Sequence, residues 1–255
     1  MSSSKPHAPH AKFQLLTVYG RKPVLEALQD NKLDAERLHI AHSNKRGGIM
    51  DEIMTAAAHR GIEIREHERA ALARISRNGK QDQGVALDIR CPDFAELDSI
   101  EALAKSPNTR LLALDGITNP QNAGMIVRSA AAAGIDGILW PRKGVAALGP
   151  LVIKASAGTL FRAPIVHCED AFSAIEQCQL WGITVATLRA DGEQTVFSHQ
   201  PKGAMVYVLG GESGGVSPKV AALADMGLSI PMSNSVESLN VAVTAGILAY
   251  AVTAH

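Results

Sequence analysis

Cysteine is scarce. Cys91, Cys168 and Cys178 form no C-x-x-C pair, and an odd number excludes a simple disulfide framework. A reducing, cytoplasmic setting is expected. No Cys/His cluster has ligand spacing, so no metal site is expected. Aromatic residues are only 4% of the chain, which makes base stacking on rings a poor basis for any nucleic-acid recognition. No apolar run is long enough to cross a bilayer; the longest weakly polar stretch, 241–254, carries threonines. G-x-G-x-x-G and G-x-x-x-x-G-K-[ST] are both missing, which argues against dinucleotide and phosphate-loop chemistry. The start, MSSSKPHAPHAK, lacks an apolar core and reads as a loose tail over 1–12 rather than a secretory signal.

Net charge is also lacking, because 25 basic and 25 acidic side chains cancel. Their distribution is uneven: residues 1–91 hold 15 Lys+Arg against 11 Asp+Glu, and 92–255 hold 10 against 14. The asymmetry suits either an anionic partner for the first part or scattered surface charge. With 255 residues and 46% hydrophobic content, the chain is long enough for two folded domains.

Both parts alternate strand and helix. In the first, strands are expected at 15–19, 37–41, 62–65 and 85–89, with helices at 23–29, 49–59 and 68–76. This predicts a small α/β domain over 13–91. CPDFAELDSIEALAKSPNT, with two prolines, reads as a linker over 92–108. Apolar strands separated by helices follow over 109–255: strands at 111–114, 137–140, 164–167, 183–188, 205–209 and 228–230, and helices at 123–133, 148–157, 171–180, 219–224 and 239–253. The pattern predicts an α/β domain with a mostly parallel sheet covered on both faces.

Ligands of such sheets bind beyond the strand C-termini, and three of these ends are unusual. DGITNPQNAGMIVRS (115–129) ends a strand in Asp-Gly, with Asn122 placed to cap a helix and Arg128 on its second turn. LGGESGG (209–215) sets Glu212 among four glycines, which suits close approach to a ligand with hydroxyls, amines or positive charge. IPMSNSVESLNVAV (230–243) offers Ser238 as a cap and Asn234 for positive φ. It also places Asn240 inside a helix, where that residue type is unfavourable. Each stretch alone also reads as ordinary structure, the first and third as capped helices and the second as a tight turn.

Together and in this order, NPQNAGMIVRSA, VLGGESGG and IPMSNSVESLNVAV resemble the three motifs of the SpoU (TrmH-like) RNA ribose 2′-O-methyltransferases of the SPOUT superfamily, and KASAG at 154–158 resembles an intervening segment. VYGRKPVLEAL (18–28) and QGVAL (83–87) are similar to the subgroup acting on guanosine in 23S rRNA. The resemblance implies a Rossmann-like parallel sheet with a deep trefoil knot, preceded by a small RNA-binding domain. It implies S-adenosylmethionine held by Leu188, Gly210, Gly211, Ile230, Met232 and Leu239, and a homodimer through the knot with residues of both chains at each site. The family's catalytic set falls on Asn122, Arg128, Glu212, Ser238 and Asn240. Asn119, Gln121, Asn234 and Asp82 depart from residues common in the family, which loosens the RNA target. A guanidinium holds its proton too tightly to act as a base at neutral pH, so Arg128 is expected to stabilise charge on the attacking oxygen. Arg21, Lys22, Lys45, Arg46 and Lys154 are candidate RNA contacts. Ribosomal RNA is the first expectation. The alternatives are a tRNA ribose methyltransferase, a non-catalytic RNA-binding or ribosome-assembly module, and an unrelated NAD or FMN enzyme.

Overall fold

A computed structural model describes residues 13–31, 33–92, 94–212 and 214–254. The tail expected over 1–12 and Ser213 of the glycine-rich motif lie outside them. The chain forms two compact units, 1–93 and 94–255.

In the first unit, β1 (Phe13–Tyr19), α1 (Arg21–Gln29), β2 (Asp34–Ala41), α2 (Ile49–His59), β3 (Glu63–His67), α3 (Arg69–Ser76) and β4 (Val85–Pro92) build a four-stranded sheet of order β1-β4-β2-β3. Only β2 and β3 run parallel. Leu16, Val18, Leu38, Leu87 and Ile89 are buried at alternate strand positions, as a sheet with one face on a core requires. The period-2 alternation of the opposite face places Thr17, His39 and Asp88 together. Thr17 Oγ1 donates to Asp88 Oδ1 (2.7 Å), and His39 bridges Asp88 Oδ2 (2.9 Å) and His67 Nε2 (2.9 Å). Asp82, fully buried, accepts from Arg69, Ser76 Oγ and Gly84 N and so ties down the 78–84 turn.

The second unit contains β5 (Ala95–Glu96), α4 (Ile100–Ala104), β6 (Arg110–Asp115), α5 (Pro120–Ala133), β7 (Gly137–Pro141), α6 (Pro150–Ala155), β8 (Ile165–Cys168), α7 (Ala171–Leu180), β9 (Thr184–Leu188), β10 (Gln194–Thr195), β11 (Met205–Gly210), α8 (Pro218–Ala221), β12 (Met226–Ser229) and α9 (Val241–Thr253). Its sheet is parallel throughout, in the order β10-β12-β9-β11-β6-β7-β8-β5. Of the segment expected as a linker over 92–108, residues 94–108 belong to this unit. β5 pairs with β8, and Ile100 is fully buried in the core beside Leu111 and Val166. Pro92 ends β4 and Pro107 lies in the turn before β6; buried Ile100, with Leu97, Leu103 and Ala104 packed against the same core, anchors the segment.

The chain leaves β6 towards β7 and β8 on one side, then crosses to β9, β11 and β12 on the other. The reversal falls between β6 and β11, where Asp115 and Gly210 are neighbours in register. A cleft at that switch point is what open α/β sheets use for ligands.

Candidate active site

Three chain segments meet at this switch point. The first is the β6–α5 turn. Asn119, not Asn122, caps α5: its side chain accepts from Gln121 N at 2.9 Å, with Pro120 at the tolerated first position. The expected cap fails because the helix starts one turn earlier than its apolar pattern. Asn122 is thereby placed inside the first turn, where it is buried.

The second segment is the glycine-rich loop after β11. Gly211 and Gly215 exchange two backbone hydrogen bonds (3.0 and 2.9 Å), closing the loop. A Cβ on Gly210 would lie 2.0 Å from the backbone of Gly215 and Val216, so no other residue fits there. Asp115 Oδ2 accepts from Ser217 N (2.7 Å) and fastens the loop to the end of β6. An Asp-Gly step at a strand end is the sequence signal for this anchor.

The third segment precedes α9. Asn240, not Ser238, is its cap, with Oδ1 accepting from Ala242 N at 2.9 Å. The placement of Asn240 inside the helix is thus corrected as well. Asn234 has positive φ as expected, and so does Ser235.

These segments place three polar side chains in contact. Glu212 Oε1 accepts from Asn122 Nδ2 (2.6 Å) and Asn240 Nδ2 (3.0 Å), and Asn240 Nδ2 also lies 3.1 Å from Asn122 Oδ1. An open cleft of about 300 Å³ beside them is lined also by Gly116, Thr118, Asn119 and Val241. Thr118 and the Gly116 backbone were not legible as lining residues, since a strand-end loop carries no periodicity.

The other expected residues are placed differently. Arg128 sits on the third turn of α5, not the second, because the helix begins at Pro120. It lies about 9 Å along the axis and about 120° around from Asn122. It is exposed and has no hydrogen bond or ion pair among the described residues. Ser238 is exposed and its side chain makes no hydrogen bond among the described residues. Leu188, Gly210 and Ile230 stand at or just beyond the carboxyl ends of the adjacent strands β9, β11 and β12. Leu239 is half-buried and Met232 exposed in the loop before α9. This half-buried apolar edge, joined to a loop that tolerates no Cβ at Gly210, fits a flat ligand approached closely by backbone. In the first unit, Arg21 is half-buried and donates to Asn44 Oδ1 (3.1 Å), whereas Lys22, Lys45 and Arg46 are exposed. Lys154 is exposed on α6 of the second unit.

Residues 109–250 match the family model of the SpoU rRNA methylases, and 17–95 match that of RNA 2′-O-ribose methyltransferase substrate binding. The chain belongs to the SpoU methylase family. It is an α/β RNA 2′-O-ribose methyltransferase of the SpoU type. Its relatives include proteins named as uncharacterized tRNA/rRNA methyltransferases. The one from Mycolicibacterium vanbaalenii is 38% identical over 91% of this chain and 74% of its own length. The one from Mycobacterium leprae is 34% identical over 97% and 80%. Among solved structures, AviRb of Streptomyces viridochromogenes, a SpoU methyltransferase in complex with S-adenosylmethionine, superposes with a TM-score of 0.66 at 22% identity, covering 94% of this chain and 90% of that one. A putative TrmH-family RNA methyltransferase of Porphyromonas gingivalis superposes at 0.64 with 26% identity, covering the same shares.

Proposed function

We propose that this SpoU enzyme methylates the ribose 2′-hydroxyl of a guanosine in structured 23S ribosomal RNA. Residues 13–91 serve as its RNA-binding part and 109–255 as its methyltransferase part. The observation that carries the catalytic reading is the meeting of Asn122, Glu212 and Asn240 at the sheet's switch point. The resemblance of 18–28 and 83–87 to the guanosine-specific subgroup supports the target.

S-adenosylmethionine, held along Leu188, Gly210, Gly211, Ile230, Met232 and Leu239, supplies an electrophilic methyl group. The chain's own task is to hold the 2′-oxygen in line and to steady its charge as the O–H proton leaves for phosphate or water and the methyl passes from sulfur to oxygen, the S–CH₃ bond breaking to leave a neutral thioether. Glu212 fixes both asparagine amides. Asn240 and Ser238 orient the ribose. Arg128 stabilises the developing oxyanion.

Arg128 points away from its own chain's cluster, and this supports a homodimer. Beside it, α9 carries no charged residue, and its Val243 and Tyr250 are 51% and 55% exposed, as is Met125 on α5 at 40%. A second copy covering this face brings its arginine to the neighbouring cleft. The knot through the 230–240 loop is part of the same proposal, and so is action in the cytoplasm, which suits a chain with three buried cysteines.

The test is methyl incorporation into ribosomal RNA from a deletion strain, with the modified nucleotide mapped. Transfer by the wild type and about 100-fold less by Arg128→Ala is expected. Equal rates remove Arg128 from the mechanism. Incorporation only into tRNA replaces the target.

A further inference from the structure

The first unit has a second cleft, of about 440 Å³, that the methyl-transfer site does not use. It opens at the carboxyl ends of the parallel pair β2 and β3. Its floor is apolar: Ile40 and Ala41 from the strand, and Met50 and Met54 from α2. Met50 is 3% exposed, while Met54 is half-buried. The rim is polar and of both signs. Lys45 and Arg46 extend from the β2–α2 loop, and His42 Nδ1 pairs with Glu66 across the mouth at 3.0 Å. Asn44, also on the rim, accepts from Arg21 and donates to Gly84 O (2.6 Å), so this wall is braced against the start of α1.

We infer that this cleft takes one unstacked nucleobase of the RNA substrate, with its flanking phosphates on Lys45 and Arg46. The inference rests on the RNA reading above and adds a point of base recognition remote from the methylated ribose. The composition of the cleft fits that ligand piece by piece. Thioethers are polarisable and adapt to a flat aromatic ring, which suits a protein with few aromatic side chains of its own. The carboxylates of Glu66 and Asp51 accept from the N–H edges of a base, and His42, its Nδ1 on Glu66, offers Nε2 to the same edge. Two cations at the lip meet the phosphates on either side of an extruded nucleotide. A wholly apolar peptide segment would offer nothing to Lys45, Arg46 and Asp51 on the rim.

The test uses the full chain labelled with ¹³C at its seven methionine methyls, with Met50 and Met54 signals assigned by Leu variants. The probes are a mixed-sequence single-stranded RNA decamer and the same decamer with abasic sugars. Movement of the Met50 and Met54 signals with the first and not the second is expected. Met54→Ala is expected to weaken decamer binding about fivefold while leaving S-adenosylmethionine affinity unchanged. Three results overturn the pocket and leave the RNA reading standing: decamer binding with both signals still, equal affinity for the abasic decamer, or a Met54→Ala variant that binds as the wild type does. No binding of either the decamer or total ribosomal RNA removes both.

Discussion

Asn240 performs two jobs with one amide. Its oxygen caps α9 and its nitrogen donates to Glu212 and Asn122. Substitution separates the two. Asn240→Asp keeps the cap, loses the donor and sets a carboxylate beside Glu212, so methyl transfer is expected to fall at least about tenfold with little change in Tm. Asn240→Ala loses both, adding a stability cost of about 1 kcal/mol. Thermal melts beside single-turnover rates distinguish these outcomes. The sequence flagged Asn240 as out of place and misjudged why: propensity marks an asparagine as odd near a helix but cannot say that it stands at the boundary and reaches sideways. The buried group on the first sheet makes a pH prediction. Burial of His67, with His39, Arg65 and His42 adding like charge, holds its pKa below the ordinary 6.5. Burial opposes ionisation of Asp88, but hydrogen bonds from His39 and Thr17 outweigh it and hold that carboxyl below its usual 3.8. Both groups resist protonation more when folded than when unfolded. Each therefore contributes stability above its unfolded value that is lost on acidification. Melting temperature is expected to fall in two stages, first below about pH 6.5 and then below about pH 3.8. His67→Asn should remove the first stage.

At the level of elements, close contacts between glycine backbone and its neighbours set the tolerances. A Cβ on Gly124 of α5 would meet Ala155 Cβ at 2.5 Å and Val152 O at 2.6 Å on α6. Gly124→Ala is expected to cost about 1–3 kcal/mol by overpacking. Gly210→Ala is expected to disrupt the 210–217 loop and abolish cofactor affinity; calorimetry with S-adenosylmethionine checks it. The longer elements were legible because their cores demand it. The apolar run 205–209 is a fully buried central strand, and 49–59 and 171–180 are helices at their expected bounds. β5 and β10 were not, since two-residue edge strands are defined only by a distant partner. The same reason hides the sheet order: pairing of β11 with β6 joins residues 95 apart, such as Met205 and Arg110, and periodicity is silent about that.

For the whole molecule, the uncharged α9 face predicts self-association. Val243→Glu with Tyr250→Glu is expected to halve the molar mass by light scattering and to lower methyl transfer, because Arg128 then meets no neighbouring cleft. The two units also predict separable binding. Removing residues 1–93 is expected to leave S-adenosylmethionine binding intact and flatten the salt dependence of RNA affinity, measured as the slope of log affinity against log salt. The hydrogen-bonded cluster has one more consequence, set by the order of synthesis. A ribosome makes Asn122 first, adds Glu212 ninety residues later, and reaches Asn240 only after a further 28. Throughout that interval the carboxylate lacks its second amide and α9 has not been made. A nascent chain therefore cannot assemble the Asn122–Glu212–Asn240 hydrogen bonds until residue 240 has been added.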